Sequence, residues 1–127
     1  MTDEPRGDLQ LRTLAMPADT NPSGDIFGGW VMAQMDIAGG IAAGTRAGGR
    51  VATVAVTGFT FHLPVHVGDV VCCYTSLDSV GRTSLTFHVE AWALRRREAG
   101  NRVKVTEGTF VFVALDDNGA KREVPPD

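Results

Sequence analysis

The stretch GWVMAQMDIAGGIAA, residues 29–43, decides how the chain is read. It is apolar almost all round, with only Gln34 and Asp36 polar. That pattern predicts a helix buried on most sides, not one lying on a surface with its back in water. Glycine costs a helix interior roughly 1 kcal/mol against alanine, so Gly39 and Gly40 belong where something approaches the backbone closely. Just upstream, Asp19 to Asp25 gathers Asn, Pro, Ser and Gly and reads as a loop. Earlier still, Leu9 to Met16 reads as a short strand stopped by Pro17.

Beyond Arg50 the texture changes. Val51 to His62 is rich in Val, Thr and Phe until Pro64 and Gly68-Asp69 interrupt it. Val70 to Leu77 forms the next run, followed by a turn at Gly81-Arg82. Leu85, Phe87, Val89 and Ala91 alternate with Ser84, Thr86, His88 and Glu90, the clearest period-two stripe in the chain. Gly100-Asn101 marks another turn, Val103 to Leu115 the last strand, and Asp117-Asn118-Gly119 a closing turn. Strand, helix, then four strands joined by short turns predicts an α+β fold, a five-stranded antiparallel sheet across one helix. A helix this apolar requires the sheet to curl around it or a second subunit to cover it. The expected organisation is one domain over 9–120, with a flexible N-terminal tail, 1–8, and a polar C-terminal tail, 121–127.

Composition removes several function classes. A chain of 127 residues can bury roughly two-thirds of its unfolded surface and needs no metal or disulfide staple. A net charge of −3 argues against a nucleic-acid partner. No apolar run reaches the ~18–20 residues of a membrane span. Met1 to Asp8 is polar and acidic and does not read as a secretory signal. Cys72 and Cys73 are adjacent, so on a strand they point to opposite faces. They read as two buried thiols in a reducing compartment, and a cytoplasmic location is expected. His62, His66 and His88 fit no metal-ligand spacing, lie away from the helix start, and read as surface or strand-end residues.

Two features could carry chemistry. Asp36 is a carboxylate amid Met32, Ala33, Met35 and Ile37, a setting that calls for a partner or a purpose. Gly39 and Gly40 fall beside it on the helix and would leave a pocket floor without side chains. From the pattern alone it is either a catalytic acid or an interface aspartate that caps a loop or pairs with an arginine. At the helix start, Gly28-Gly29 expose backbone N–H groups that have no intrahelical acceptor and attract negative charge. They could form an oxyanion hole, or simply permit a tight entry into the helix. Eight residues of helix put Gly28 and Asp36 roughly 12 Å apart. A carbonyl and its attacking water span only ~3 Å. If both groups are catalytic, each must work with the other from a second chain.

Met16-Pro17-Ala18-Asp19-Thr20-Asn21, Gly24 to Trp30, and Gln34-Met35-Asp36 resemble the YciA-type acyl-CoA thioesterases of the hotdog fold. The likeness continues through Gly68 to Tyr74 and Gly81-Arg82-Thr83-Ser84 and spans about residues 9–120. It implies a curved sheet wrapped around the central helix, hydrolysis of acyl-CoA without a metal or other cofactor, and dimers assembled into hexamers as trimers of dimers. It further implies Asp36 as general base or nucleophile, and Asn21 as the residue that holds the water or the carbonyl. Gly28 would be the amide donor from the opposite subunit. Substrate contacts are expected at Gly29, Thr60, Phe61, Arg82, Thr83 and Ser84. Thr60 departs from the asparagine of some relatives. Arg82 with its neighbouring hydroxyls suits the phosphates of coenzyme A. A second basic cluster, Arg95, Arg96, Arg97, Arg102 and Lys104, reads mostly as a solvated strand end. Trp30, Met32, Phe59 and Phe61 could line an acyl slot or be plain core. The rival functions are a hotdog hydratase or dehydratase, which would want a histidine near the helix start, and a non-catalytic acyl-CoA sensor. Such a sensor would need an attached DNA-binding domain, for which 127 residues leave no room.

Overall fold

The computed structural model of the protein describes residues 4–95 and 101–127. Strand β1 (Asp8–Leu14) leads through a short 3-10 turn, Pro17–Asp19, to helix α1 (Gly28–Ala47). Four strands follow, β2 (Val51–Phe61), β3 (Val70–Val80), β4 (Ser84–Leu94) and β5 (Arg102–Ala114). They form one antiparallel sheet in the order β1-β3-β4-β5-β2. This is the hotdog arrangement, one helix laid along a curved sheet that does not close.

Short turns do not join all the later strands. β2 pairs with β5 at one edge and β3 lies beyond β4, so residues 62–69 cross the sheet instead of making a hairpin. Gly68, with a φ of 93°, and the Asp69 side chain, which accepts the His66 amide hydrogen at 2.9 Å, shape that crossing. The expected turn at Gly100-Asn101 falls partly outside the described residues.

The period-two stripe packs as read. Leu85, Phe87, Val89, Ala91 and Ala93 face the helix, none more than 3% exposed. From α1 come Val31, Met35, Ala38, Gly39, Ala43 and Ala47, one face at helical spacing. The other face is left half open: Ile37 is 49% and Ile41 43% exposed. On the neighbouring edge strand β2, Val54 and Val56 are also exposed. The sheet therefore covers only one side of an all-round apolar helix.

The helix runs four residues past Ala43 and stops at Gly48, whose φ of 70° suits glycine in a left-handed cap. Its last carbonyl is then met from the C-terminal segment. Arg122 donates through Nη2 to the Ala47 carbonyl and through Nε to that of Leu115. Val124 N–H donates to the Arg82 carbonyl, so this polar segment is docked along the sheet end. Among the described residues, no helix is long and apolar enough to cross a membrane.

Candidate active site

The chain enters α1 through a loop that its own side chains shape. Asn21 Oδ1 accepts the N–H groups of Ser23 at 2.9 Å and Asp25 at 3.1 Å. That uses the acceptor end of the amide and leaves Nδ2 to donate. Ile26 N–H donates to the Val65 carbonyl and Phe27 N–H to that of Asp19, which ties the loop to the β2–β3 crossing. The Phe27 carbonyl then takes the first helical bonds, from Trp30 and Val31. Among the described residues, the N–H groups of Gly28 and Gly29 meet no acceptor. A Cβ at Gly28 would lie 3.0 Å from Phe61 Cζ, so glycine lets this ring lie against the helix start. At Gly29 nothing lies within 4 Å.

Two turns along, Asp36 is half-buried, and Thr53 Oγ1 of β2 donates to its Oδ1 at 2.5 Å. One carboxylate oxygen is thus held, and among the described residues the other has no hydrogen-bond partner. Asp36, Thr53, Gly29, Met32, Val56 and Phe110 border a groove of about 270 Å³. Gly28 borders a different one, of about 360 Å³, with Val31, Phe61, His62, Val65 and Thr106. The amide and the carboxylate of one chain therefore open into separate clefts.

The other expected site residues divide. Phe61 is at the Gly28 groove and Met32 at the Asp36 groove, whereas Trp30 and Phe59 pack against the core. Thr60 is exposed on β2 opposite Glu107 and borders neither groove. Arg82 is exposed and pairs with Glu123 at 3.0 Å. The Thr83 carbonyl accepts the Ala114 N–H and that of Ser84 accepts the Gly81 N–H. Residues 82–84 thus sit beside the docked C-terminal segment, outside both grooves. Gly39 is not a pocket floor, because a Cβ there would come 2.7 Å from Phe112 Cζ. Its bare backbone is what lets the helix seat on the sheet.

The histidines correct the sequence reading more sharply. His62 lines the Gly28 groove, and His66 Nδ1 lies 3.6 Å from Asp25 in the entry loop. The crossing at 62–69 brings both toward the helix start. His88 is part-buried on the outer sheet face, 2.7 Å from Glu90, and His62 Nε2 is 2.6 Å from Glu107. His88, Glu90 and Glu107 are close enough together to hold a metal ion. Lys104 already supplies a cation there, with Nζ 3.4 Å from Glu90 and 3.0 Å from Glu107. Burial works against its charge, but both carboxylates outweigh that and raise its pKa. Of the second basic cluster, Arg95 bonds Asp69 and the Pro64 carbonyl, and Arg102 bonds the Tyr74 hydroxyl. Arg96 and Arg97 lie outside the described residues. Burial, with Cys72 beside it, pushes the Cys73 thiol up to about 12, so it is no nucleophile at neutral pH.

Sequence reasoning missed Thr53 and Thr106. Both are threonines within strand-like runs, and only the register of β2 and β5 reveals what they face.

Comparison with known proteins adds independent findings. The model of the thioesterase superfamily matches residues 23–99. The acyl-CoA thioester hydrolase YciA of Salmonella typhimurium is 53% identical, covering 98% of this chain and 96% of its own. The hexameric thioesterase y2039 from Yersinia pestis is 53% identical with a TM-score of 0.91, covering 98% of this chain and all of its own. HI0827, a hexameric broad-specificity acyl-coenzyme A thioesterase, is 50% identical with a TM-score of 0.92, covering 96% and 89%.

Proposed function

The chain belongs to the thioesterase superfamily, among the YciA acyl-CoA thioester hydrolases, and we propose that it cleaves acyl-CoA at sites shared between two subunits. The reaction is acyl-CoA hydrolysis to free acid and coenzyme A. The observation that carries the shared site is the division of Gly28 and Asp36 between two grooves of one chain. A second copy set against β2 and the open face of α1 would cover Ile37, Ile41, Val54 and Val56. Two-fold symmetry then offers Asp36 of each chain to the Gly28 of the other, twice. The relatives named as hexamers support a trimer of such dimers.

In this reading the thioester carbonyl accepts from the unpartnered Gly28 amide, reinforced by the positive end of the helix dipole. The Asn21 amide Nδ2 donates to the carbonyl or the water, since its oxygen is already engaged. Asp36, oriented by Thr53, takes a proton from water as the new C–O bond forms. The C–S bond then breaks and the proton passes to the departing sulfur. The same free oxygen would serve if Asp36 attacked directly and water opened the resulting anhydride. Gly29 and Phe61, which border the two grooves, would flank the acyl and pantetheine portions. Arg82, with Thr83 and Ser84, would meet phosphate. Its exposed pairing with Glu123 is worth only ~0–1 kcal/mol and exchanges readily.

The test is release of free thiol from a series of short, medium, long and aromatic acyl-CoAs. Asp36→Ala should lower turnover at least ~10²-fold while the protein stays folded. Near-normal hydrolysis by a folded Asp36→Ala protein would remove the assignment.

A further inference from the structure

Two imidazoles and two carboxylates from three parts of the chain meet on the outer face of the sheet. His88 and Glu90 are two residues apart on β4 and share a face, and Glu90 stands opposite Glu107 of β5. His62, the first residue after β2, reaches the same place, because Phe61 pairs with Thr106 next to Glu107. Ligand atoms of His88, Glu90 and Glu107 all lie within 4.8 Å of one another. Both imidazoles turn the same nitrogen toward the carboxylates. His88 Nε2 is 2.7 Å from Glu90 Oε2 and 3.7 Å from Glu107 Oε1, and His62 Nε2 is 2.6 Å from Glu107 Oε2. The ligands of a tetrahedral zinc ion stand ~3.4 Å apart, so movements of about an ångström would seat one here.

The inner half of the cluster is already oriented. Glu90 Oε1 accepts the Trp92 indole N–H at 2.9 Å and the Arg6 backbone N–H at 3.1 Å, which leaves Oε2 toward His88. Outer partners of this kind fix the ligands of metal sites. The Glu90 side chain is 5% and that of His88 14% exposed, whereas Glu107 and His62 are more open and give an ion a way in. Burial opposes charge on both glutamates, but the hydrogen bonds they accept and the Lys104 ammonium outweigh it, so both are carboxylates at neutral pH. Lys104 Nζ lies 3.4 Å from Glu90 and 3.0 Å from Glu107. One ammonium against two carboxylates leaves a negative charge over. Its side chain is 30% exposed on a flexible stem and can turn out to water. A divalent ion brings twice the charge and bonds to imidazole that an ammonium cannot make. Mixed nitrogen and oxygen donors suit zinc, whereas magnesium and calcium take oxygen.

We propose that His62, His88, Glu90 and Glu107 form a zinc site in which the ion takes the place of the Lys104 ammonium. The ion would tie β4, β5 and the end of β2 together on the face of the sheet turned away from α1. This site does not rest on the thioesterase reading. No spacing along the chain announces it, because strand pairing assembles the ligands.

The measurement is calorimetric titration of untagged, chelator-treated protein with Zn2+, repeated with Mg2+, and thermal unfolding with and without Zn2+. Wild type should bind one Zn2+ per chain, ignore Mg2+ and melt higher with zinc present. His88→Ala and Glu107→Gln should each weaken zinc binding at least ~10-fold. Lys104→Met tests the same cluster from the other side, since it leaves two carboxylates facing each other without their cation. It should melt lower than wild type without metal, bind Zn2+ more tightly and regain its stability when zinc is added. Co2+ bound to wild type should show the visible absorption of a tetrahedral site and lose it in His88→Ala. No saturable zinc binding by wild type, equal binding by His88→Ala and Glu107→Gln, or a Lys104→Met protein that zinc does not stabilise would each overturn the site and leave a permanent ion-pair network in its place.

Discussion

Glu90 is only 4% exposed on the outer face of the sheet, where a carboxylate stays charged only if its surroundings insist. Burial pushes its pKa up. Hydrogen bonds from Trp92, His88 and the Arg6 backbone, with the Lys104 charge, outweigh that and hold it below the ordinary carboxylate range. Glu107 is lowered in the same way, chiefly by Lys104 and His62 acting against burial. A lowered folded-state pKa means stability that is present above the unfolded value near 4.5 and lost as pH falls through the folded one. Glu90→Gln should therefore cost about 1–3 kcal/mol at pH 7, yet flatten the acid limb of the stability curve. Urea midpoints of both proteins from pH 7 to pH 3 would show it. Parallel acid limbs would mean that the Glu90 pKa is the same in the folded and unfolded protein.

At the scale of elements, α1 and the sheet are joined where Gly39 meets Phe112. A methyl group at Gly39 would fall 2.7 Å from Cζ and 3.0 Å from Cε1 of that ring. Phe112 cannot easily yield, being 1% exposed and packed against Phe87 and Phe110. Gly39→Ala gains roughly 1 kcal/mol of helix propensity but should still lose about 1–3 kcal/mol overall to overpacking. A urea midpoint equal to or above that of wild type would show that the helix can lift off the sheet without loss. The helix itself was legible because Gln34 and Asp36 are the only polar residues in fifteen, and the β4 stripe because its alternation is strict. Partners are another matter. Periodicity says that 51–62 and 70–77 are strands, but not that a crossing sends them to different parts of the sheet. The same gap hid Thr53 behind Asp36, placed Gly39 against the wrong neighbour and left His62 far from the helix start. The bulge in β5, where Ala91 pairs with Thr106 but Trp92 with Lys104, was hidden for a related reason, since one unpaired residue in a ladder changes no local pattern.

For the whole molecule, the apolar stripe that the sheet leaves open and the two separate grooves pose one question, whether Asp36 works on its own chain's amide or on a partner's. Helix rise sets Gly28 and Asp36 roughly 12 Å apart, too far to share a carbonyl within one chain. Subunit mixing decides the matter. Asp36→Ala and Asn21→Ala proteins should each be nearly inactive. Allowed to exchange subunits in equal amounts, they form mixed pairs in about half of all dimers. In each mixed pair one interface gathers both substitutions, and the other joins an intact Asp36 to an intact Asn21 and Gly28. Activity should therefore return to roughly a quarter of the wild-type value. Sites built within single chains would all remain defective, and mixing would restore nothing. Exchange is verified separately by mass-labelling one partner. Proven exchange without recovery would sink the shared site, while hydrolysis by the unsubstituted protein would still stand.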